Sequence, residues 1–215
     1  MSLKVHTVVT GVFQENCFIL WRDSAAESVL IDPGADAEAI SAAIRAFNLS
    51  PLAIVNTHAH IDHVGAVEAL KHEFGIPFYL PKGEQEVLGM YENTSLFFGL
   101  TPGKKPEVDH WLQDQSQFKL GPFSFRVFPT PGHTPGGKCY LIGKHLFSGD
   151  TLFKGSVGRT DLPGGNWDTL KNSLKILIEK VPDDIMIHSG HGPDTTMGIE
   201  RSENPFLFPL LRELN

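Results

Sequence analysis

The chain of 215 residues is 41% hydrophobic and 20% charged, with 15 Phe and 10 His, which suits one domain with a sizeable core and excludes intrinsic disorder. Eighteen basic against 25 acidic side chains leave a formal charge of -7, and no basic stripe stands out, which argues against nucleic-acid binding. No apolar run reaches the ~20 residues of a bilayer span. The start, Met1-Ser2-Leu3-Lys4-Val5-His6, lacks the apolar segment of a secretory signal. Cys17 and Cys139 are too few for a disulfide framework and read as small buried hydrophobes. The expected setting is cytoplasmic.

In chain order, residues 5–9, 18–21 and 28–31 read as strands. Asp32-Pro33-Gly34 ends the third as a turn. A helix follows, with Asp36 as N-cap and Ile40, Ala43, Ile44 and Phe47 on one face. Residues 52–56 form a short buried strand. Asp62 precedes a second helix, with Val64, Val67, Leu70 and Phe74 at helical spacing, and Gly75 stops it. Residues 82–106 are less regular. Their first half suits a helix, and Leu96-Phe97-Phe98-Gly99-Leu100 reads either as a lid over a pocket or as ordinary core. Strands resume after Leu112, at residues 123–128, 139–142 and 145–147. Asn166 caps a third helix with Trp167, Leu170, Leu174 and Leu177 on one face, and residues 185–187 are a last strand. Strands and helices, then strands and helices again, predict an α+β fold. The expectation is one domain over residues 1–215, a four-layer αββα sandwich of two β-sheets packed face to face with helices outside.

The strongest local signal is Thr57-His58-Ala59-His60-Ile61-Asp62-His63. His58 and His60 follow a strand two residues apart, so an extended chain aims them the same way. Asp62 and His63 sit where a helix starts, so the turning chain can aim them elsewhere. One loop could feed two adjacent metals, and imidazole with carboxylate suits zinc, iron or manganese. The bland alternative is a polar loop of solvated side chains. His133 in Pro131-Gly132-His133-Thr134-Pro135-Gly136, Asp150 after Ser148-Gly149, and His191 in Ser189-Gly190-His191-Gly192-Pro193 also follow strands. Each alone is an ordinary turn residue. Together with the cluster they make seven candidate ligands at strand ends, where such sites are built. Asp32 is a candidate partner for the second nitrogen of a ligand histidine, or a simple turn residue.

These motifs, with Asp32 in Ile31-Asp32-Pro33-Gly34, occur in the order found in the metallo-β-lactamase fold superfamily, which the sequence resembles over nearly its whole length. Residues 150–161 resemble the glyoxalase II branch, the hydroxyacylglutathione hydrolases. Ser202-Glu203-Asn204-Pro205-Phe206-Leu207 and the length resemble its compact, YcbL-like members. The resemblance implies two divalent metal ions, zinc first, with iron or manganese as alternatives. It implies that His58, His60 and His133 hold one metal, that Asp62, His63 and His191 hold the other, and that Asp150 bridges them. The implied activity is hydrolysis of S-lactoylglutathione or related thioesters by a metal-bridging hydroxide, with Asp62 and Asp150 in catalytic roles. Longer members carry a helical C-terminal domain that contacts glutathione. Residues 192–215 leave no room for one, so loose glutathione recognition is expected.

Lys154 and Arg159 are candidate substrate-binding residues. Arg159 could clamp a substrate carboxylate or pair with Asp161 or Asp168. His6, His72, His110 and His145 have no partners at metal spacing. His188 suits either a partner of the site or a satisfied strand histidine. No serine nucleophile elbow is present. The rival readings are a mononuclear iron persulfide dioxygenase, a β-lactamase, and a non-catalytic metal-binding module. A small-molecule thioester is the expected partner, with neither nucleic acid nor membrane.

Overall fold

In the computed structural model, which describes residues 2–23 and 25–214, the chain divides into two compact units. They are Met1–Gln113 with Lys119–Phe123, and Asp114–Phe118 with Ser124–Asn215.

The first unit opens with β1 (Leu3–Thr10), β2 (Glu15–Arg22) and β3 (Glu27–Ile31), joined antiparallel. The expected strands are all present and slightly longer. Helix α1 (Ala37–Ala46) crosses over to β4 (Ser50–Val55), which runs parallel to β3. Two short helices, α2 (Ile61–Val64) and α3 (Val67–Phe74), lead to β5 (Phe78–Pro81). A 3-10 turn at Lys82–Glu84, α4 (Gln85–Gly89) and α5 (Tyr91–Phe97) lead to β6 (His110–Leu112). The sheet order is β1 to β6 in sequence, with β4, β5 and β6 parallel. Leu30, Ile40, Ile44, Ile54, Val67, Leu70 and Phe78 form its buried cluster with Cys17. Each such side chain contributes about 1.5–3 kcal/mol by leaving water.

Three local expectations are corrected here. Asp36 stands at the N-cap of α1, but its backbone is left-handed (φ 49) and its side chain makes no cap bond. Asp36 Oδ2 instead accepts the Gly11 amide at 2.8 Å. The helix over residues 62–74 is two helices, because the Ala66 amide bonds the Pro33 carbonyl at 3.1 Å rather than the helix. The Leu96–Leu100 run is not plain core: Leu96 and Phe97 are 63% and 81% exposed, while Leu100 packs on the buried cluster.

The second unit contains the first half of β7 (Gln117–Leu120), β8 (Phe123–Pro129) from Ser124 onward, β9 (Lys138–Ile142), β10 (His145–Gly149) and the small hairpin β11 (Leu152–Phe153) and β12 (Ser156–Val157). Helix α6 (Trp167–Lys180), β13 (Met186–Ser189), β14 (Thr195–Thr196), α7 (Met197–Glu203) and α8 (Phe208–Leu214) complete it. The order of its second six-stranded sheet is β14-β13-β10-β9-β8-β7. β13 joins β10 in parallel after the α6 crossover. Asn166 caps α6 as expected, its side chain accepting the Thr169 amide at 2.9 Å. Leu170, Leu174 and Leu177 are buried with Leu146, Ile187 and Cys139. Among the described residues, no helix is long and apolar enough to cross a membrane.

Candidate metal centre

In the first unit, the candidate ligands ride on the turn after β4 (His58, His60) and on the short helix α2 that follows it (Asp62, His63). Asn56 closes that turn by donating from Nδ2 to the His63 carbonyl at 2.7 Å. Asp32 is buried at the end of β3, with a left-handed backbone (φ 50). Its Oδ1 accepts the Thr57 amide at 2.7 Å and its Oδ2 accepts the Thr57 hydroxyl at 2.6 Å. The hydroxyl proton is thus committed to Asp32, so the hydroxyl oxygen accepts the Nδ1–H of His58 at 2.9 Å. His63 Nδ1 lies 3.1 Å from Asp32 Oδ2, in position to donate. One carboxylate therefore contacts His63 directly and His58 through the Thr57 hydroxyl. The His58 and His60 rings meet edge-on at 5.0 Å, and those of His58 and His63 are tilted at 51° with centroids 4.0 Å apart.

Two further buried carboxylates brace this turn, and sequence reasoning missed both. Glu84 Oε2 accepts the amide of Ala59, between His58 and His60, at 2.9 Å. Glu15 accepts the Thr10 hydroxyl at 2.9 Å and lies 3.7 Å from His63 Nδ1. Burial raises the Glu15 carboxyl well above its usual range, with His63 pulling the other way. Thr57 was adjacent to the motif, but only the fold shows what it contacts. Gly34 permits a close crossing: a Cβ there would lie 1.6 Å from the Asp62 carbonyl oxygen.

In the second unit, His133, Asp150 and His191 come together from three strand ends, following β8, β10 and β13. Asp150 Oδ2 lies 3.5 Å from His133 Nε2 and 3.6 Å from His191 Nε2. His133 Nδ1 donates to the Arg159 carbonyl at 2.7 Å. The arrangement fits a divalent cation. Tetrahedral ligands at ~2.1 Å from a metal stand ~3.4 Å from one another, close to both separations. Ligand histidines hold their other nitrogen on a carboxylate or carbonyl, as His63 and His133 do here, while His58 holds its own on the Thr57 hydroxyl.

Lys154 and Arg159 are the remaining candidates. Lys154 is exposed in the β11–β12 turn. Arg159 forms a two-pronged pair with Asp161, both bonds 2.7 Å. The guanidinium draws the Asp161 carboxyl down to about 2. His145 belongs to no candidate metal group among the described residues, but it has a histidine neighbour. Its Nδ1 meets His188 Nε2 at 2.9 Å, and His188 Nδ1 meets Asp194 at 3.0 Å. Burial, with His188 beside it, lowers the His145 pKa. Both cysteines are buried and unbridged, as expected.

Fold and donor set together describe a metallo-hydrolase type of protein. The chain belongs to the metallo-β-lactamase superfamily, whose sequence model matches residues 10–191. It is 35% identical over 218 residues to the hydroxyacylglutathione hydrolase GloC of Haemophilus influenzae, covering 95% of this chain and 98% of that one. Its fold is similar to the BLEG-1 B3 metallo-beta-lactamase crystal structure, with a TM-score of 0.90 and 41% identity over 95% of this chain and 100% of that one. A crystal structure of TTHA1623 in a di-iron-bound form gives a TM-score of 0.84 at 41% identity, over 94% of this chain and 100% of that one. The α+β class and the metallo-β-lactamase fold thus agree with the sequence expectation. The superfamily fold implies divalent metal ions.

Proposed function

We propose that this protein is a cytoplasmic binuclear metal-dependent hydrolase of the glyoxalase II branch, cleaving S-lactoylglutathione or related thioesters. Both units act as one catalytic domain in this reading. His58, His60 and His133 hold one cation, Asp62, His63 and His191 the other, and Asp150 is shared. The observation that carries it is Asp150 Oδ2 between two imidazole Nε2 atoms at 3.5 and 3.6 Å. The motif order, the 150–161 segment and the GloC relative support the substrate class.

Bound cations of this kind lower the pKa of a coordinated water to about 7 and polarise a carbonyl oxygen. The chain's own residues prepare for that. Asp32 fixes the tautomers of His58 and His63, and the Arg159 carbonyl fixes that of His133. Asp62, partly exposed in the first turn of α2, would orient the reacting water or relay its proton. A leaving thiolate has a low pKa and needs no strong acid. Zinc, iron and manganese all suit the donors; zinc is our first choice, and the di-iron form of TTHA1623 makes iron the alternative.

Metal analysis of purified protein, combined with a thioester panel, tests this. Two equivalents per chain and thioester cleavage without oxygen are expected. One equivalent at saturation, or turnover only with oxygen and a persulfide, overturns it. The likeness to BLEG-1 favours one second reading, hydrolysis of a β-lactam amide. A chromogenic cephalosporin in the same panel decides between them.

A further inference from the structure

We infer that Glu200 and Asn204 form a clamp that positions the β11–β12 hairpin, and through it the three candidate ligands of the second unit. The inference rests on the metal-centre reading above and gives a task to the 202–207 motif.

The hairpin pairs only Leu152 with Val157 and Phe153 with Ser156, around a Lys154-Gly155 turn with Gly155 at φ +68. Two residue pairs cannot hold themselves in water. The fold holds them from outside. Glu200 Oε2 accepts the Gly155 amide at 2.9 Å. Asn204 Nδ2 donates to the Ser156 carbonyl at 3.0 Å, with the Phe153 carbonyl at 3.4 Å. The clamp is itself tied together: Asn204 Nδ2 lies 2.8 Å from Glu200 Oε2, and the Thr195 hydroxyl donates to Glu200 Oε1 at 2.6 Å. Asn204 Oδ1 accepts the Phe206 amide at 3.0 Å, which orients the side-chain amide. Glu200 and Asn204 are both fully buried. A buried carboxylate with three donors is costly to disturb.

Both legs of the hairpin end at the site. The incoming leg starts at Leu152, two residues after Asp150. The outgoing leg reaches Gly158, where a Cβ would lie 1.8 Å from the Asp150 carbonyl oxygen, and then Arg159, whose carbonyl receives His133 Nδ1–H. On the incoming leg, the Phe153 ring meets His191 edge-on at 6.2 Å. A hairpin held in one place therefore sets the Asp150 backbone, the His133 tautomer and one wall of His191. Glu200 and Asn204 touch none of the three. They are positioning residues.

The test compares full-length wild type, Asn204→Ala and a stability control, Leu177→Ala, in the second unit's core. Thermal unfolding of the metal-free proteins shows that each folds and how much stability it has lost. Titration with cobalt(II) alone, read by absorption, then gives equivalents and affinity. Loss of an outer partner of a metal ligand typically weakens binding 10–100-fold. Asn204→Ala is expected to bind at least one equivalent about tenfold more weakly, with an altered cobalt spectrum and faster hydrogen exchange at the Gly155 amide. Leu177→Ala is expected to lose stability and keep wild-type affinity and spectrum. Should Asn204→Ala not fold, Glu200→Gln carries the same comparison with a smaller change in shape. Cobalt affinity that is unchanged, or that falls only in step with stability as in Leu177→Ala, overturns the clamp. A wild type that binds no cobalt overturns the metal reading instead.

Discussion

The two units of the chain supply their candidate ligands in opposite ways. The first concentrates four of them between His58 and His63, on one turn, and braces that turn with buried carboxylates. The second draws three from ends of separate strands, His133, Asp150 and His191, and fixes His133 by a backbone carbonyl. A shared brace makes the first set interdependent, because one side chain, Asp32, governs two imidazoles. In the second unit the brace is the main chain itself, so side-chain changes beside the site matter less than changes in the path of the backbone. One device is common to both. Gly34 lies against the Asp62 carbonyl and Gly158 against the Asp150 carbonyl, each too close for a Cβ.

The comparison breaks most directly at Asp150, whose Oδ2 lies between two imidazole nitrogens. Asp150→Asn is expected to lower turnover by about 10²–10³-fold, the scale of losing a preorganised electrostatic group. His6→Ala, in β1 with its ring against Phe47, is expected to leave turnover unchanged. Comparable activity in the two variants refutes the assignment.

Asp32→Ala comes next and sharpens the contrast. It removes the acceptor of His63 Nδ1 and, through Thr57, the support of His58. Metal affinity is expected to fall about 10–100-fold. Because both histidines lose their hold, binding of both equivalents should weaken, as judged by isothermal titration. Weakening of one equivalent alone would mean that the two imidazoles are not governed together.

A smaller effect is expected at the glycines. Gly34→Ala and Gly158→Ala each insert a methyl where a carbonyl oxygen stands 1.6 or 1.8 Å away. Overpacking of this kind costs about 1–3 kcal/mol, measurable by urea unfolding of the metal-free protein. If both variants keep wild-type stability, the close crossings are not a constraint on the backbone.

The same contrast decided what could be read from sequence. The first unit's ligands share one short stretch, so their residue types alone announce a metal-binding turn. The second unit's are single residues in Gly/Pro turns. They gain meaning only when motif order links them to a family. Longer strands and helices were legible from periodicity, as with residues 28–31 and α6. The two-residue strands β11, β12 and β14 carry no period to detect, and β5 is four residues bounded by prolines. Glu15, Glu84 and Glu200 were invisible for another reason. A glutamate in sequence looks like surface, and only tertiary contact shows it buried. The break at Ala66 likewise depends on the Pro33 carbonyl, more than thirty residues earlier.

The smallest expected effect is at Arg159, and it tests whether backbone and side chain there do separate work. The carbonyl holds His133, whereas the guanidinium reaches outward to Asp161. Arg159→Ala keeps the carbonyl, so metal content and kcat are expected to stay at the wild-type level. KM for an anionic thioester is expected to rise, because a cation that binds ground and transition states alike affects KM and not kcat. The pair also has a pH signature. Arg159 lowers the Asp161 carboxyl to about 2, so on acidification the unfolded chain takes up this proton before the folded one does. The pair's contribution to stability is therefore present above the usual carboxylate range and lost as pH falls through about 2. Urea unfolding of the metal-free wild type and Arg159→Ala should differ slightly at neutral pH and converge near pH 2. If kcat and metal content fall together in Arg159→Ala, the side chain is also holding His133 in place, and the second unit depends on side-chain bracing as the first does.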